Sequence, residues 1–577
     1  MLDEIIANGT IVDGTGNAPT VGDIGISGNR ITAIGPVGSL GDAHRVADAT
    51  GMLVTPGIID PHTHYDAQLL WDPTASPSSI HGVTTIIGGN CGFTLAPLLP
   101  GDADYLRRMM AKVEGMPLPA LEQGTDWSWE TFADYLGRLD GRISVNAGFM
   151  AGHCALRRYV MGPDAVGNEA TPVQLATIVA ELRAALEAGA LGFSFTTSSS
   201  HSDGDGEPVA SRWASVDELM ALATETGRHA GTSLEGIVPG CLDQFSDSEI
   251  EMLGAMSAAA GRPLNWNVLT VDSRVPERVV RQLQAAAAAT AKGGRVVALT
   301  MPIQVPMNMS FLNFCGLWLI PGWNAIMNAP VSERIARLQD ADTRLRMLEA
   351  GQSPEAGVFR RLADWGYYVI GDTFSQVNDG LKGRAVRDIA AERGQSSFGT
   401  LLDIVIADEL RTVLWPMPQD DDDESWRMRR DLWLDGRAMI GGSDAGAHLD
   451  RMCGAPYPTR FLGDCIRGRQ LVPVETAVKL MTSDPAELFG LTDRGVLRPG
   501  AIADIAIFDP ELVDSGPATL VRDLPGDSAR LVAASMGVRR VLVSGVTIVE
   551  NGVATGATPG TVLRSGVDTH SLTGVAS

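Results

Sequence analysis

Gly57-Ile58-Ile59-Asp60-Pro61-His62-Thr63-His64 decides how this chain is read. A short apolar run, Met52 to Ile59, is interrupted by Pro56 and Gly57 and delivers two imidazoles one residue apart. On a β-strand, residues i and i+2 point to the same face, so a strand continued through this segment brings both rings to one ion. Neutral imidazole is a common ligand for zinc and its neighbours. A second strand-like run, Met439-Ile440-Gly441-Gly442-Ser443-Asp444, ends in a carboxylate. Strand ends at one rim of a parallel barrel bring such distant segments together. The His-x-His pair alone is weak evidence, because nine histidines in 577 residues produce chance pairs. Its other reading is a strand end capped by polar side chains.

The length admits several domains or one barrel with insertions and a side domain. Apolar residues at 45% and charged residues at 20% describe a globular protein with a large core. The net charge of −24 argues against nucleic acid and against anionic membrane surfaces as partners. The six cysteines (Cys91, Cys154, Cys241, Cys315, Cys453, Cys465) contain no Cys-x-x-Cys pair, which favours free thiols and a reducing compartment. The start, Met1-Leu-Asp-Glu, is acidic and lacks the basic and apolar regions of a signal peptide. No run of about eighteen apolar residues reads as a membrane span. A cytoplasmic protein is expected.

Residues 1 to about 55 read as short strands joined by Asn-Gly and Gly-Asn turns, and the C-terminal part, from Ala503 to Gly552, reads alike. Two all-β pieces at opposite ends suggest one β-sandwich built from both termini, residues 1–55 with 487–577, since separate strand pairs would expose long edges. Between them, over 56–486, strand-like and helical stretches alternate. Strands are expected near 53–59, 83–89, 143–150, 190–196, 228–234, 263–269, 295–300 and 438–443, with helices such as Thr171–Ala188, Val216–Glu225 and Glu277–Lys292 between some of them. This alternation predicts an α/β fold, a (β/α)8 TIM barrel. The gap from about 301 to 437 is too long for one loop and is expected to be an insertion or a lid over the active face.

Cys91 lies in Gly88-Gly89-Asn90-Cys91-Gly92-Phe93, directly after an apolar strand. A thiolate there can approach an ion closely; the alternative is a buried apolar cysteine. The string Pro56-Gly-Ile-Ile-Asp-Pro-His-Thr-His64 resembles the first-strand signature of the amidohydrolase superfamily. The longer stretch His81 to Pro97, with Gly152-His153-Cys-Ala-Leu-Arg157, Met481-Thr-Ser-Asp-Pro-Ala486 and Asp493 to Pro510, resembles its N-acyl-D-amino-acid deacylase (D-aminoacylase) branch. The resemblance covers most of the chain. It implies a barrel hydrolase with a divalent metal, most simply zinc, and makes Cys91 a ligand beside His62 and His64. It assigns to Asp444 both coordination and proton transfer between the attacking water and the leaving nitrogen. The alternative for Asp444 is a helix cap.

Departures from the family pattern shape the rest. Relatives carry metal-binding histidines at the ends of strands 5 and 6. Here Thr232 or Ser233 aligns with the first and Asn267 or Val268 with the second, with His229 nearby but displaced. No lysine sits at a strand end, so a carbamylated bridge is not expected. One ion, held by His62, His64 and Asp444 with Cys91, is preferred over two. His201, His229, His448 and His153 are candidate ligands or substrate-binding groups, each with a structural alternative. Arg451, Arg460, Arg157 and Arg212 are candidates for a fork on a substrate carboxylate, Arg451 first among them. The Met- and Trp-rich stretch Met301 to Met327 is either an acyl pocket or insertion core.

The expected activity is hydrolysis of linear amides, N-acyl-D-amino acids above all, with a small-molecule amide as the only partner beyond a homo-oligomer. The alternatives are a cyclic amide, imide or lactone hydrolase on the same site, and a non-catalytic scaffold.

Overall fold

The computed structural model describes residues 1–572. Eight parallel strands form the barrel: β1 Ile58–Asp60, β2 Val83–Gly88, β3 Asn146–Phe149 with its continuation Ala151–Gly152, β4 Gly192–Thr196, β5 Ser233–Ile237, β6 Pro263–Trp266, β7 Arg295–Thr300 and β8 Ala438–Ile440. All but Arg295 of their residues are buried, as expected of strands covered on both faces. Ladders join β1 to β3 and β3 to β8 in order. The ring closes where Thr63, beyond β1, bridges Ala445, beyond β8. There the His64 amide donates to the Ala445 carbonyl at 2.7 Å. Gly446, at φ +92°, permits this approach, because a Cβ would lie 2.6 Å from the His64 carbonyl carbon.

The helices between the strands begin where local chemistry says they should. Helix α1, Pro172–Glu187, starts with proline in its first turn, behind a Thr171/Gln174 capping box. Helix α2, Val216–Gly227, is capped by Ser215, and α3, Asp247–Ala260, by a Ser246/Glu249 box. Helix α4 is Pro276–Ala291.

Both termini enter one nine-stranded sheet, in which Leu53–Pro56 pairs antiparallel with Ile505–Phe508. Its apolar layer includes Ile6, Ile24, Ile31, Val54, Ile505 and Leu542. The expected strand 53–59 is therefore two strands: Leu53–Pro56 belongs to the terminal sheet and Ile58–Asp60 opens the barrel. Gly57 is the joint, and its Cα packs so closely on Thr84 that a Cβ would collide with that side chain.

Pro306–Asp421 forms a second compact unit. Its core contains Met309, Phe311, Trp318, Trp323 and Met327, so most of the stretch read as a candidate acyl pocket is interior packing. Trp323 stacks on Trp365 at 5.3 Å within that core.

Strand β5 also departs from expectation. Helix α2 runs to Gly227, the chain turns through Gly231 at φ +68°, and the strand starts only at Ser233. Placing the strand at 228–234 ran it into the helix end. Among the described residues no helix is long and apolar enough to cross a membrane.

Candidate metal centre

Strand β1 ends at Asp60, and the chain bends through Pro61 and His62 before Thr63. The Thr63 amide and hydroxyl both donate to the Ile87 carbonyl, at 2.9 Å, which turns Thr63 one way and His62 and His64 the other. The two imidazole rings lie 5.3 Å apart and are buried. Cys91 follows β2 at φ +55°, in a loop pinned from below. Its amide donates to Glu235 Oε2 at 2.7 Å, and the Gly92 amide donates to the Ser194 hydroxyl at 3.1 Å.

His62, His64 and Cys91 each offer a donor atom within 4.8 Å of the others. Cys91 Sγ is 3.5 Å from His62 Nε2. Asp444 Oδ1 is 3.2 Å from His62 Nε2 and 3.7 Å from His64 Nε2. Tetrahedral ligands at zinc's usual bond lengths stand about 3.4–3.6 Å apart, so these spacings fit such an ion. The surroundings call for positive charge as well. Burial pushes Asp60, Asp66 and Glu235 up to about 7 and Glu114 well above the carboxylate range. Cys91 is also pushed up, first by burial and then by neighbouring carboxylates. A buried anionic cluster is expensive unless a cation joins it.

Asp444 is the site carboxylate that solvent reaches, with its side chain 21% exposed against 0% for Glu235 and 4% for Glu114. Burial works against its ionisation, yet His62, His64 and His448 hold it at about 2. Asn267 Nδ2 donates to its Oδ1 at 3.0 Å. Beneath the site the Ser443 hydroxyl donates to Asp60 at 2.5 Å. Burial lowers His62, but the Asp444 hydrogen bond and the surrounding carboxylates raise it on balance. His64 falls to about 3, through burial and the charge on His62. Cys91, Asp444 and His448 all take left-handed backbone, a strained conformation that concentrates at functional sites.

His201 and His448 both face this cluster electrostatically. Burial and mutual repulsion with charged neighbours bring His201 to about 3 and His448 to about 4. His201 Nδ1 pairs with the Thr196 hydroxyl at 2.8 Å. Arg451 acts on both His448 and Glu114 and is 14% exposed. Its ion pair with Asp450 is loose, at 3.8 Å.

Other candidates lie elsewhere. His229 precedes β5, at the opposite rim, and pairs with Glu225 at 3.5 Å. His153 is buried between the Ser211 hydroxyl at 3.0 Å and Glu218 at 2.9 Å. Arg157 joins that network through both Glu218 oxygens at 2.6 Å, so it is unavailable to a substrate. This serine–histidine–glutamate array looks like a nucleophilic triad, but Ser211 is fully buried and the array serves packing. Arg157→Ala should cost about 3–5 kcal/mol by stranding Glu218, read as a lowered Tm with metal content unchanged. Arg460 pairs with Asp514 at 2.9 Å, and Arg212 donates to the His201 carbonyl at 3.0 Å.

Two site residues escaped the sequence reading. Glu235 occupies the inward position on β5, whereas Thr232 is spent on backbone carbonyls of Thr226 and His229. Glu114, at the end of helix Ala103–Val113, comes within 3.6 Å of His64 Nε2.

A closed parallel barrel whose strand ends gather two imidazoles, a thiol and an exposed carboxylate defines a metal-dependent hydrolase. The amidohydrolase family model matches residues 45–549. The chain is 29% identical to D-aminoacylase of Alcaligenes xylosoxydans xylosoxydans over 97% of both chains. It is 28% identical to N-acyl-D-aspartate deacylase of the same organism, over 98% of this chain and 95% of the relative. A solved D-aminoacylase structure, concerned with one-metal activation and second-metal attenuation of a binuclear centre, superposes with a TM-score of 0.63 at 26% identity, over 98% of this chain and 100% of that one. This chain belongs to the amidohydrolase family and hydrolyses carbon–nitrogen bonds other than peptide bonds with a divalent metal.

Proposed function

We propose that this protein deacylates N-acyl-D-amino acids or closely related linear amides, using one zinc-type ion held by His62, His64 and Cys91 with Asp444 alongside. The observation that carries this reading is the convergence of His62, His64 and Cys91 within 4.8 Å of one another, with Asp444 Oδ1 3.2 and 3.7 Å from the two imidazoles and more open to solvent than Glu235 or Glu114. The similarity to D-aminoacylase and N-acyl-D-aspartate deacylase supports the substrate class.

A divalent ion in this donor set supplies Lewis acidity toward the amide carbonyl and makes water acidic enough to attack near neutral pH. Asp444 is ionised throughout that range and so is ready to accept a proton from the attacking water. It then returns that proton to the leaving nitrogen, which must be protonated to depart. Asn267 keeps the carboxylate pointed into the site through its bond to Oδ1. His201 and His448 stay neutral and provide polar contacts to the substrate without adding charge. Arg451, whose ion pair with Asp450 is loose at 3.8 Å, is the group we assign to the amino-acid carboxylate. We read the chain as a barrel over 56–486 flanked by a terminal sandwich, and place it in the cytoplasm on the strength of its six free thiols.

Steady-state assays on zinc-loaded protein with N-acyl-D- and N-acyl-L-amino acids, hydantoins, imides and lactones test the substrate class. Turnover of the D-series is expected. Arg451→Leu should raise KM for acyl-amino acids by about 10–100-fold, the worth of a charge-assisted bond, and leave acyl-amines without a carboxylate unaffected. Turnover confined to cyclic substrates would sink the reading.

A further inference from the structure

Glu235 lies on β5 near the place where the family pattern expects a metal-binding histidine. It is fully buried and has no route to a substrate. Its two oxygens address the backs of two different donors. Oε2 accepts the Cys91 amide at 2.7 Å. Oε1 faces His62 Nδ1 at 3.8 Å, and neither of these buried atoms has a hydrogen-bond partner in the described residues. The other ring nitrogen of His62, Nε2, is the one that stands 3.5 Å from Cys91 Sγ and 3.2 Å from Asp444 Oδ1.

Imidazole that offers the Nε2 lone pair to an ion carries its proton on Nδ1, and that proton needs an acceptor. The geometry points to Glu235 as the positioning residue of the metal centre: it fixes the tautomer and tilt of His62 through Nδ1 and the placement of Cys91 through its amide. The inference rests on the reading that His62, His64 and Cys91 hold the ion. On β6, Asn267 is engaged with Asp444. The two strands that carry ligand histidines in relatives therefore carry supports here, which suits a one-ion centre.

The test is zinc affinity, measured by chelator competition on the full chain, for wild type, Glu235→Gln and Glu235→Asp. Glutamine keeps the size and one acceptor. It cannot serve the Cys91 amide and the His62 Nδ1–H together without setting its own amide hydrogens against one of them. Affinity is expected to fall about 10–100-fold in Glu235→Gln and to recover in part in Glu235→Asp, the usual scale for a lost carboxylate–histidine–metal contact. With cobalt as the ion, the thiolate-to-cobalt absorption should persist in Glu235→Gln, because Cys91 still ligates.

A purely structural glutamate would give a lowered Tm with affinity within about twofold of wild type, and that result would overturn the inference. So would a changed ligand-field intensity of the cobalt form, which would make Glu235 itself a ligand. Should Glu235→Gln fail to fold, Glu235→Asp binding zinc as tightly as wild type would count against the role. Wild type that binds neither zinc nor cobalt would overturn the reading beneath it as well. Wild type that binds one ion tightly but cleaves no acyl-amino acid would remove only the substrate class.

Discussion

Asp444→Asn should lower kcat by about two to four orders of magnitude while zinc content stays near the wild-type level, the range general acid–base groups usually supply. The amide keeps the shape of the carboxylate and an oxygen for the Asn267 bond, but it cannot carry a proton. The proposed ligands His62, His64 and Cys91 are untouched by the change. Single-turnover rates alongside elemental analysis would check this. A variant within about threefold of wild type would remove Asp444 from proton transfer and redirect attention to Glu114, the next carboxylate at the ligand nitrogens.

Stripping the metal should make stability depend on pH in an unusual direction. Asp60, Asp66 and Glu235 are pushed by burial from ordinary values of 3.8 to 4.5 up to about 7. Between those limits the native protein holds protons that the unfolded chain has released. Taken alone, these carboxylates make the metal-free protein less stable as pH rises from the ordinary carboxylate range through about 7; His64, His201 and His448, held to about 3, 3 and 4 from an ordinary 6.5, act in the opposite sense up to about 6.5, so the net fall is expected between about 6.5 and 7. A bound divalent ion favours the ionised carboxylates and opposes the loss. Zinc should raise Tm more at roughly pH 8 than at roughly pH 5. Thermal melts at the two pH values, with and without chelator, measure it. Equal zinc shifts at both would mean that the carboxylates do not sense the ion.

Much of this site was legible because it obeys a two-residue period. His62 and His64 stand one residue apart just beyond a strand end and their rings meet at 5.3 Å, and Cys91 and Asp444 each follow an apolar run that forms a barrel strand. The helices were legible through their caps, as at Thr171-Pro172. Glu235 was missed because His229 drew the strand too early: the segment from Arg228 to Gly231 is polar enough to be read as a strand start, yet it is the turn that ends α2. Once the strand begins at Ser233, a lone charge inside Ser-Leu-Glu-Gly-Ile stands out, since a fully buried parallel strand has no solvated face to put it on. Glu114 carried no such signal. Next to Lys112 at a helix end it looks like any solvated terminus, and only the fold of the loop turns it inward. The aromatic stretch after Met301 misled for a similar reason, because composition does not say whether rings line a cavity or fill a core.

The hydrogen bond from His64 to Ala445 is both the last rung of the barrel and part of the metal centre. A ribosome releases His62, His64 and Cys91 early and Asp444 some 350 residues later, so the nascent chain carries an unfinished chelator through most of its synthesis. The proposed donor set is complete only when the first and last strands meet. A working centre is thereby a report of completed folding: a chain misregistered at its seam keeps three of the proposed donors but lacks the proposed proton carrier, and so stays inactive even with an ion aboard.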